Sequence, residues 1–365
     1  MKKLSFLFAL LTVFSLVLTA CGGGGAKTVD CTKPEVFCVG LVTDVGKIDD
    51  KSFNQSTWEG VKQAEKELGA YVQYIETTDS KDYAKNIATF ADAGYDVIVT
   101  VGFALGDATV EAAKKYPKTY FIGVDQFQAW AVDDDKTNDL PNLAGLVFPE
   151  DQAGFLVGAL AAMMTKTGKI GGVFGTDAVP PVWRFGEGYC AGAKYIKPDI
   201  EIFVVYHNDV GFDKTFTDPE WGATTANSLI DKGADVIFGG GGKTGNGAVI
   251  ATAQRGKYAI GVDTDQYYTL PEAAPRLLSS AMKLLTPGTF ELIKLAKDAQ
   301  AGKATFPAGN YLGKGGYAPF HDLDKEVPAE VKAKMEEINK MLLSGELKTN
   351  VTPAKDAGGP SFCNP

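Results

Sequence analysis

The sequence predicts an α/β protein built from two doubly wound, Rossmann-like lobes with a hinge and a ligand cleft between them. The tetrapeptide Ile-Gly-Val-Asp occurs twice, at residues 122–125 and again at 260–263. Two further similar segments, 94–98 and 233–237, lie at almost the same spacing, which indicates an internal duplication of domain size. Within each half, apolar strand patterns alternate with helical patterns. This alternation is typical of a parallel sheet covered by helices.

The first lobe begins with Val36–Val42, an apolar run that ends at a Thr-Asp pair and is typical of a buried parallel strand. Ser52 then leads into a helix that has apolar residues on one face and ends at Gly69. The other elements predicted for this lobe are strands over Tyr71–Ile75, Asp96–Val101, Thr119–Val124 and Leu143–Phe148, and a helix over Tyr83–Ala93.

The pattern restarts in the second lobe with a helix over Phe155–Met164. Two more helices are predicted over Phe185–Ile196 and Gly222–Lys232. The strands predicted for this lobe cover Lys169–Phe174, Ile200–Tyr206, Asp235–Phe238, Tyr258–Val262 and Leu277–Met282.

The end of the chain is expected to return to the first lobe through a helix over Pro287–Ala301, followed by a last helix over Ala329–Ser344. The N-terminal lobe therefore comprises residues 36–148 and about 284–350, and the C-terminal lobe comprises residues 149–283. Residues 351–365 are expected to form a tail.

Composition and charge narrow the class of protein. The chain has 365 residues, of which 45% are hydrophobic and 22% are charged, and these values are typical of globular domains. Its net charge is −9, and no basic stripe is present in the sequence. Binding to nucleic acid is therefore not expected.

Residues 1–20 resemble a bacterial lipoprotein signal peptide. Lys2 and Lys3 precede the apolar run Leu4–Leu18, and Leu-Thr-Ala-Cys at 18–21 resembles a lipobox. The resemblance implies cleavage before Cys21, a lipid on its sulfur, and a flexible tether over residues 21–35. An ordinary signal peptide that happens to be followed by cysteine is the alternative. Since the apolar run is too short for a membrane span, we expect a lipid-anchored protein on the extracytoplasmic side of the cell membrane.

Four further cysteines allow two disulfides: Cys31, Cys38, Cys190 and Cys363. An exported location permits such bonds, and three pairings are possible. Because chain ends often lie close together, Cys31 with Cys363 is the pairing to test first. Free buried thiols are the alternative for Cys38 and Cys190.

Neither a metal nor a cofactor is expected, because the only histidines are His207 and His321 and no spacing typical of metal ligands occurs. Residues 239–244 resemble a phosphate loop, but Ile237 stands where its first glycine would be. A glycine run after a strand instead lets a ligand approach the backbone closely. Gly242, and Gly102 after another strand, are therefore predicted as binding residues.

The densest polar cluster spans residues 43–54, between the first strand and the first helix, where doubly wound sheets bind ligands. Asp44, Asp50, Phe53 and Asn54 are predicted to face the cleft. Capping of the helix is the alternative for Asp50.

Asp125 and Asp263 end the two Ile-Gly-Val-Asp strands, so we expect them to face each other across the cleft. Lys283 ends a later strand and could bind the same ligand or neutralise Asp263; a solvated crossover residue is the alternative. Trp183 is expected to border the cleft.

The second lobe also offers an aromatic side chain opposite Phe53. Phe212 or Phe216, in the loop after the second strand of that lobe, could supply it. Two aromatic walls would suit a planar base.

Five segments together resemble the basic membrane protein family of bacterial lipoproteins: residues 40–44, 49–54, 245–247, 260–266 and 280–283. The similarity runs from about Val36 to Glu346. It implies the type I periplasmic binding protein fold and a substrate-binding lipoprotein of an ABC importer that carries purine nucleosides. The expected partners are therefore a nucleoside and a membrane permease. No enzymatic activity is expected, and the protein is expected to be a monomer.

The resemblance also implies roles for individual residues. Phe53 would be one wall of a purine sandwich, Asn54 and Asp125 would contact the base, and Asp263 with Lys283 would hold the ribose hydroxyls.

For the second wall, the family has an aromatic residue in a short loop that ends in Asp-Pro. Phe216 occupies this position here, because Asp218 and Pro219 follow it closely. Phe216 is therefore preferred and Phe212 is the reserve. The loop around Asn208–Lys214 is longer than in the family.

Three alternatives remain open at this point. A binder of a sugar or another small solute with the same fold would keep the aspartates and ignore a base. A calcium-dependent nucleoside hydrolase is suggested by Asp44-x-Gly-x-x-Asp-Asp, although Val42 and Lys47 fit a calcium cluster poorly. A surface adhesin or signalling lipoprotein would bind a macromolecule.

Overall fold

The computed structural model describes residues 29–127, 140–359 and 361–363, so the predicted signal peptide and Cys21 lie outside the described residues. The first lobe is a parallel sheet with helices on its faces. Its elements, in chain order, are β1 (Cys38–Val45), α1 (Phe53–Leu68), β2 (Tyr71–Thr77), α2 (Tyr83–Asp92), β3 (Val97–Val101), α3 (Gly106–Lys115), β4 (Tyr120–Val124) and β5 (Leu143–Val147).

The second lobe repeats this plan. Its elements are α4 (Glu150–Met164), β6 (Lys169–Phe174), α5 (Pro180–Ile196), β7 (Glu201–Tyr206), α6 (Pro219–Asp231), β8 (Val236–Gly240), α7 (Gly242–Gln254), β9 (Tyr258–Asp263), the short helix α8 (Gln266–Thr269) and β10 (Leu277–Lys283).

The chain then visits both lobes again. Helix α9 (Leu285–Gln300) packs on α1, and β11 (Gly309–Leu312) pairs in parallel with β5 in the first lobe. Strand β12 (Gly315–Tyr317) pairs antiparallel with β10, and α10 (Ala329–Ser344) packs on α4 in the second lobe. The prediction that residues up to about 350 belong to the first lobe is therefore wrong after Leu312. The apolar face of α10, with Val331 and Met335, belongs to the core of the second lobe.

The two sheets have the same strand order, β11-β5-β4-β3-β1-β2 and β12-β10-β9-β8-β6-β7. Each Ile-Gly-Val-Asp segment therefore forms the equivalent strand of its sheet, β4 or β9. Two doubly wound lobes are confirmed, as the repeated segments predicted.

Three chain segments cross between the lobes side by side. The backbone N–H of Gly313 donates to the carbonyl of Val147 at 2.7 Å, and that of Leu284 donates to Lys314 at 2.9 Å. These hydrogen bonds join the three segments into one narrow hinge at the side of the cleft.

Helices α3 and α7 and strands β11 and β12 are absent from the prediction. Residues 245–247 continue the glycine run at 239–242 and by pattern predict a loop, but α7 begins at Gly242 and includes them. In the structure these small residues let α7 lie close to α6, since a Cβ on Gly247 would overlap the backbone of Pro219. The helix is buried over residues 244–249, so no alternation of polar and apolar faces marks it.

The disulfides are Cys31–Cys38 and Cys190–Cys363, with Cα separations of 5.8 and 5.2 Å. The predicted pairing of Cys31 with Cys363 is wrong, and so is the alternative of free thiols at Cys38 and Cys190. The pairing expectation failed because the chain ends lie on different lobes: Cys31 packs in the core of the first lobe, whereas Cys363 packs on that of the second.

The predicted tail lies along α5 over its described residues. The indole of Trp183 donates to Thr352 Oγ1 at 3.1 Å, and the Lys194 ammonium donates to the carbonyl of Phe362 at 2.6 Å. With the Cys190–Cys363 bond, these contacts fix the end of the chain to the second lobe.

Candidate ligand-binding site

A cavity of about 830 Å³, including its open, solvent-filled side, lies between the lobes at the carboxyl ends of the strands. This is where ligands bind in doubly wound sheets. All but one of the binding residues predicted from the sequence line it: Asp44, Asp50, Phe53, Asn54, Gly102, Asp125, Phe212, Phe216, Gly242, Asp263 and Lys283.

Trp183 is the exception, and its predicted position at the cleft is wrong. Helix α5 begins at Pro180 instead of Phe185, so Pro181, Val182 and Phe185 line the cavity. Trp183 lies on another face of this helix and points to Thr352.

Aromatic walls come from both lobes. Phe53 is the first residue of α1, and Phe216 lies in the loop before α6. Gly242 permits the position of Phe216: its φ is +56°, and a Cβ there would be 2.8 Å from the Phe216 carbonyl oxygen. Phe212 meets the Phe216 ring edge-on at a centroid distance of 5.8 Å, with 42% of its surface exposed.

A buried ion cluster joins the lobes at one end of the cavity. The Lys283 ammonium lies 2.5 Å from Asp125 Oδ2 and 3.0 Å from Glu150 Oε1. Arg184 Nε in turn donates to Glu150 Oε2 at 2.8 Å. Burial alone would lower the pKa of Lys283, but Asp125, Glu150 and Asp263 raise it to about 12. Lys283 is therefore charged at neutral pH.

Asp125 and Asp263 occupy matching positions and share an uncommon backbone conformation, with φ of 60° and 64°. Asp125 Oδ1 is buried without a hydrogen-bond partner, so it can accept from a ligand. Asp263 Oδ2 accepts from Ser52 Oγ of the other lobe at 2.7 Å. Burial raises the pKa of Asp263, and Lys283 opposes this shift.

Asp44 and Gly102 touch each other across the ends of β1 and β3. Gly102 has φ of +114°, and a Cβ there would overlap the Asp44 carboxylate. Burial, with the charges of Asp50 and Asp125, raises the pKa of Asp44 to about 8. At neutral pH its carboxyl is therefore largely protonated and can donate a hydrogen bond.

Asp50 and Asn54 differ in what they leave free for a ligand. The Asp50 carboxylate accepts from the backbone N–H groups of Ser52, Asn54 and Gln55 at 2.9–3.1 Å, so it caps α1. The Asn54 amide donates from Nδ2 to the carbonyl of Lys47 at 3.1 Å, while its Oδ1 is buried without a partner. Asn54 Oδ1 is therefore available to a ligand N–H group.

The turn at Asp50 and Lys51 fastens the first lobe to the second. The carbonyl of Asp50 accepts from Asn246 Nδ2 at 2.7 Å, and that of Lys51 accepts from Thr269 Oγ1 at 2.8 Å and Gln266 Nε2 at 3.3 Å. With the Lys283–Asp125 pair, these contacts hold the lobes in a closed arrangement.

Four further residues take part in the site or its closure, although the sequence predicts no binding role for them: Glu150, Ser52, Asn246 and Gln266. The sequence does offer an indication of Gln266, because this residue follows the second Ile-Gly-Val-Asp segment closely, as Gln126 follows the first. Each glutamine bonds the backbone of a strand in its own sheet. Glu150 stands in the first turn of a helix, where an acidic residue is ordinary.

The described residues contain neither a metal-binding cluster nor a membrane-spanning helix. No group of His, Cys, Asp and Glu side chains there could hold a metal ion. None of the helices within the described ranges is long and apolar enough to cross a membrane.

Two matched lobes around one cleft define the type I fold of periplasmic binding proteins. An ABC transporter solute-binding protein from Aeropyrum pernix is similar with a TM-score of 0.74 and 24% identity, over 88% of this chain and 95% of its own. A periplasmic solute-binding protein from Actinobacillus succinogenes has a TM-score of 0.62 and 16% identity, over 80% of this chain and 100% of its own. Similarity at these identities establishes the fold.

Residues 37–306 match the Bmp family, described as PnrA-like ABC transporter substrate-binding proteins. The chain belongs to this family, which confirms the resemblance found in its sequence. It is therefore a substrate-binding protein of an ABC transporter and not an enzyme, so the alternative of a nucleoside hydrolase is wrong.

Three relatives show the range of the family. The "CD4+ T-cell-stimulating antigen" of Listeria innocua is 32% identical over 97% of this chain and 100% of its own. The "ABC transporter nucleoside-binding protein BmpA" of Lactococcus lactis is 33% identical over 62% of this chain and 64% of its own. A lipoprotein of Pyrococcus horikoshii described as uncharacterized is 31% identical over 79% of this chain and 71% of its own.

Asp44→Asn is expected to flatten the dependence of stability on pH. The folded state raises the pKa of Asp44 from 3.8 to about 8, so its proton is bound more tightly in the folded chain. The resulting stabilisation is present below a pH of about 4 and is lost as pH rises to about 8. Urea unfolding of the ligand-free protein should show the variant losing about 1–3 kcal/mol less than wild type over this range.

The matched control is Asp107→Asn on α3, an exposed residue that should change nothing in this profile. Equal losses in Asp44→Asn and wild type would contradict a buried, protonated Asp44.

Proposed function

We propose that this protein binds a purine nucleoside in the interlobe cleft and delivers it to the permease of its transporter. The observation that carries the proposal is that Phe53 and Phe216, from different lobes, line the same cavity as Asp263 and Lys283. A flat base requires stacking surfaces, and a ribose requires charged hydrogen-bond partners. This cavity offers both.

The polar groups divide between the two parts of a nucleoside. Asp263 is the acceptor for the ribose hydroxyls, and Lys283 is their donor. Asn54 Oδ1 accepts from the base, and Asp44 can donate to it because its carboxyl is largely protonated at neutral pH. The relative named a nucleoside-binding protein supports this class of ligand.

Contacts that form when the lobes close also stabilise the bound state. The turn at Asp50 and Lys51 contacts Asn246, Gln266 and Thr269 only when the lobes are together. The bound nucleoside bridges the same two surfaces, so it favours the closed state through contacts that the open state lacks.

The mature protein acts as a monomer held to the membrane by a lipid on Cys21, facing the extracytoplasmic side. The Leu-Thr-Ala-Cys segment and the glycine run after it support this anchor. The relative described as a lipoprotein agrees with it.

Calorimetry with inosine, guanosine and adenosine is expected to show 1:1 binding with a Kd of about 10 nM to 10 µM. Binding of this strength corresponds to about −11 to −7 kcal/mol. Free ribose should bind far more weakly, because it lacks the stacked base. The absence of both heat and a thermal shift with every nucleoside would refute the ligand assignment. Tight ribose binding would favour the sugar-binding alternative.

Phe216→Ala is expected to weaken nucleoside binding by about 1–3 kcal/mol, the usual loss when a stacked aromatic side chain is removed. The matched control is Phe212→Ala, which removes the same ring from a more exposed position four residues earlier. Titration of both variants with the tightest-binding nucleoside shows whether Phe216 or Phe212 forms the second stacking wall. A larger loss in Phe212→Ala would make Phe212 the second wall.

Cys21→Ser is expected to release the protein from the membrane, because the lipid would be attached to the cysteine sulfur. Fractionation of expressing cells and the intact mass of the purified protein measure this. Cys31→Ser is the control, since Cys31 is paired with Cys38 and its loss leaves the anchor in place. A Cys21→Ser protein that stays with the membrane would rule out lipid attachment at this residue.

A further inference from the structure

A second cavity adjoins the cleft and has no part in the proposed nucleoside site. It spans about 1000 Å³ including its open, solvent-filled side, and we call it the vestibule. Asp44, Val45, Phe212 and Phe216 line both the vestibule and the cleft, so the two spaces meet at these four residues. The side chains that only the vestibule contacts include Asp79, Tyr83 and Asp213.

The position of the vestibule fixes which end of a ligand it receives. Asp125, Asp263 and Lys283 line the cleft but not the vestibule. With the sugar at Asp263 and Lys283, the base lies toward Asp44. The base edge furthest from the sugar, which in a purine includes position 6, therefore faces the vestibule.

The opposite end of the cleft is closed. Lys283 and Glu150 are 3% and 0% exposed, and they are held in the ion cluster with Asp125. The rings of Phe53, Phe148 and Phe185 lie 5.2–5.6 Å from the Lys283 ammonium. A group extending from the sugar would have to displace buried charges, whereas a group extending from the base enters open space.

The walls of the vestibule favour positive charge. Asp79 and Asp213 contribute carboxylates, Asp44 adds a carboxyl group that is largely protonated at neutral pH, and the described residues that line the vestibule include no lysine or arginine. Lys81 lies 3.9 Å from Asp79, but 88% of its side chain is exposed and it does not line the cavity. Asp213 has an exposed side chain in the loop between β7 and α6.

We propose that the vestibule is a subsite for a substituent on the nucleobase, and that it favours a flexible chain carrying an amine. This inference rests on the proposed nucleoside function. It predicts that the protein accepts purine nucleosides extended at position 6 and rejects those extended at the 5′ position of the sugar.

The test compares four probes by calorimetry on the mature protein: adenosine, N6-hexyladenosine, N6-(6-aminohexyl)adenosine and adenosine with the same aminohexyl chain at the 5′ position. The two N6 probes should bind within about tenfold of adenosine, with the amine the tighter of the two. The 5′ probe should bind at least about a hundredfold more weakly. The advantage of the amine should shrink as salt is added, because the carboxylates are close to solvent.

Two variants outside the nucleoside site distinguish binding in the vestibule from an overall loss of nucleoside binding. Ser80→Trp places a bulky side chain in an exposed turn at the vestibule wall. It should weaken the aminohexyl probe at least about tenfold and leave adenosine within about twofold. Asp213→Asn should reduce the advantage of the amine over the hexyl chain by about threefold.

The outcomes distinguish this inference from the function on which it rests. If adenosine binds and both N6 probes fail, the vestibule is not a subsite and the nucleoside assignment stands. Unchanged binding of the aminohexyl probe to Ser80→Trp would also overturn the subsite. If no nucleoside binds, the proposed function fails, and the subsite fails with it.

Discussion

The closed molecule depends on a buried ammonium that two lobes share. Lys283 stands at the end of β10 in the second lobe, and Asp125 stands at the end of β4 in the first. A charge removed from water is tolerated only when it is paired, and breaking such a pair leaves an uncompensated charge inside the protein. Glu150 and Arg184 extend the pairing into α4 and α5. The cluster therefore links the relative position of the lobes to the electrostatic balance of the cleft.

The duplicated halves are alike in backbone but differ in what they give to the site. Each lobe ends its Ile-Gly-Val-Asp strand in an aspartate with positive φ. The first lobe adds Phe53 at a helix start, whereas the second adds Phe216 from a loop. An asymmetric ligand with a flat end and a polar end fits such a cleft better than a symmetric one.

The strands and the positions of the strand-end residues could be predicted because they follow from local patterns. Parallel strands are apolar throughout, and their carboxyl ends meet at one edge of the sheet, so Asp44, Asp125, Asp263 and Lys283 could be placed together from the sequence. Helix α7 could not be predicted from local patterns, because a buried helix of small residues has no polar face. The prediction for Trp183 is wrong because α5 begins five residues before the predicted start, so Trp183 lies within this helix, on a face that points to Thr352.

The predictions of the disulfide pairing and of the lobe that α10 joins are wrong for a different reason, although the bounds of α10 are as predicted. Both depend on which lobe each end of the chain joins, and no local pattern carries that information. Glu150 was missed because its partners, Arg184 and Lys283, are distant in sequence.

The two ends of the described chain are fixed to different halves of the molecule. The Cys31–Cys38 bond holds the N-terminal end to β1, while Cys190–Cys363 holds the C-terminal end to α5. The lipid anchor that we propose at Cys21 would therefore act on the first lobe alone. Opening of the hinge would then move the second lobe relative to the membrane while the first lobe keeps its place.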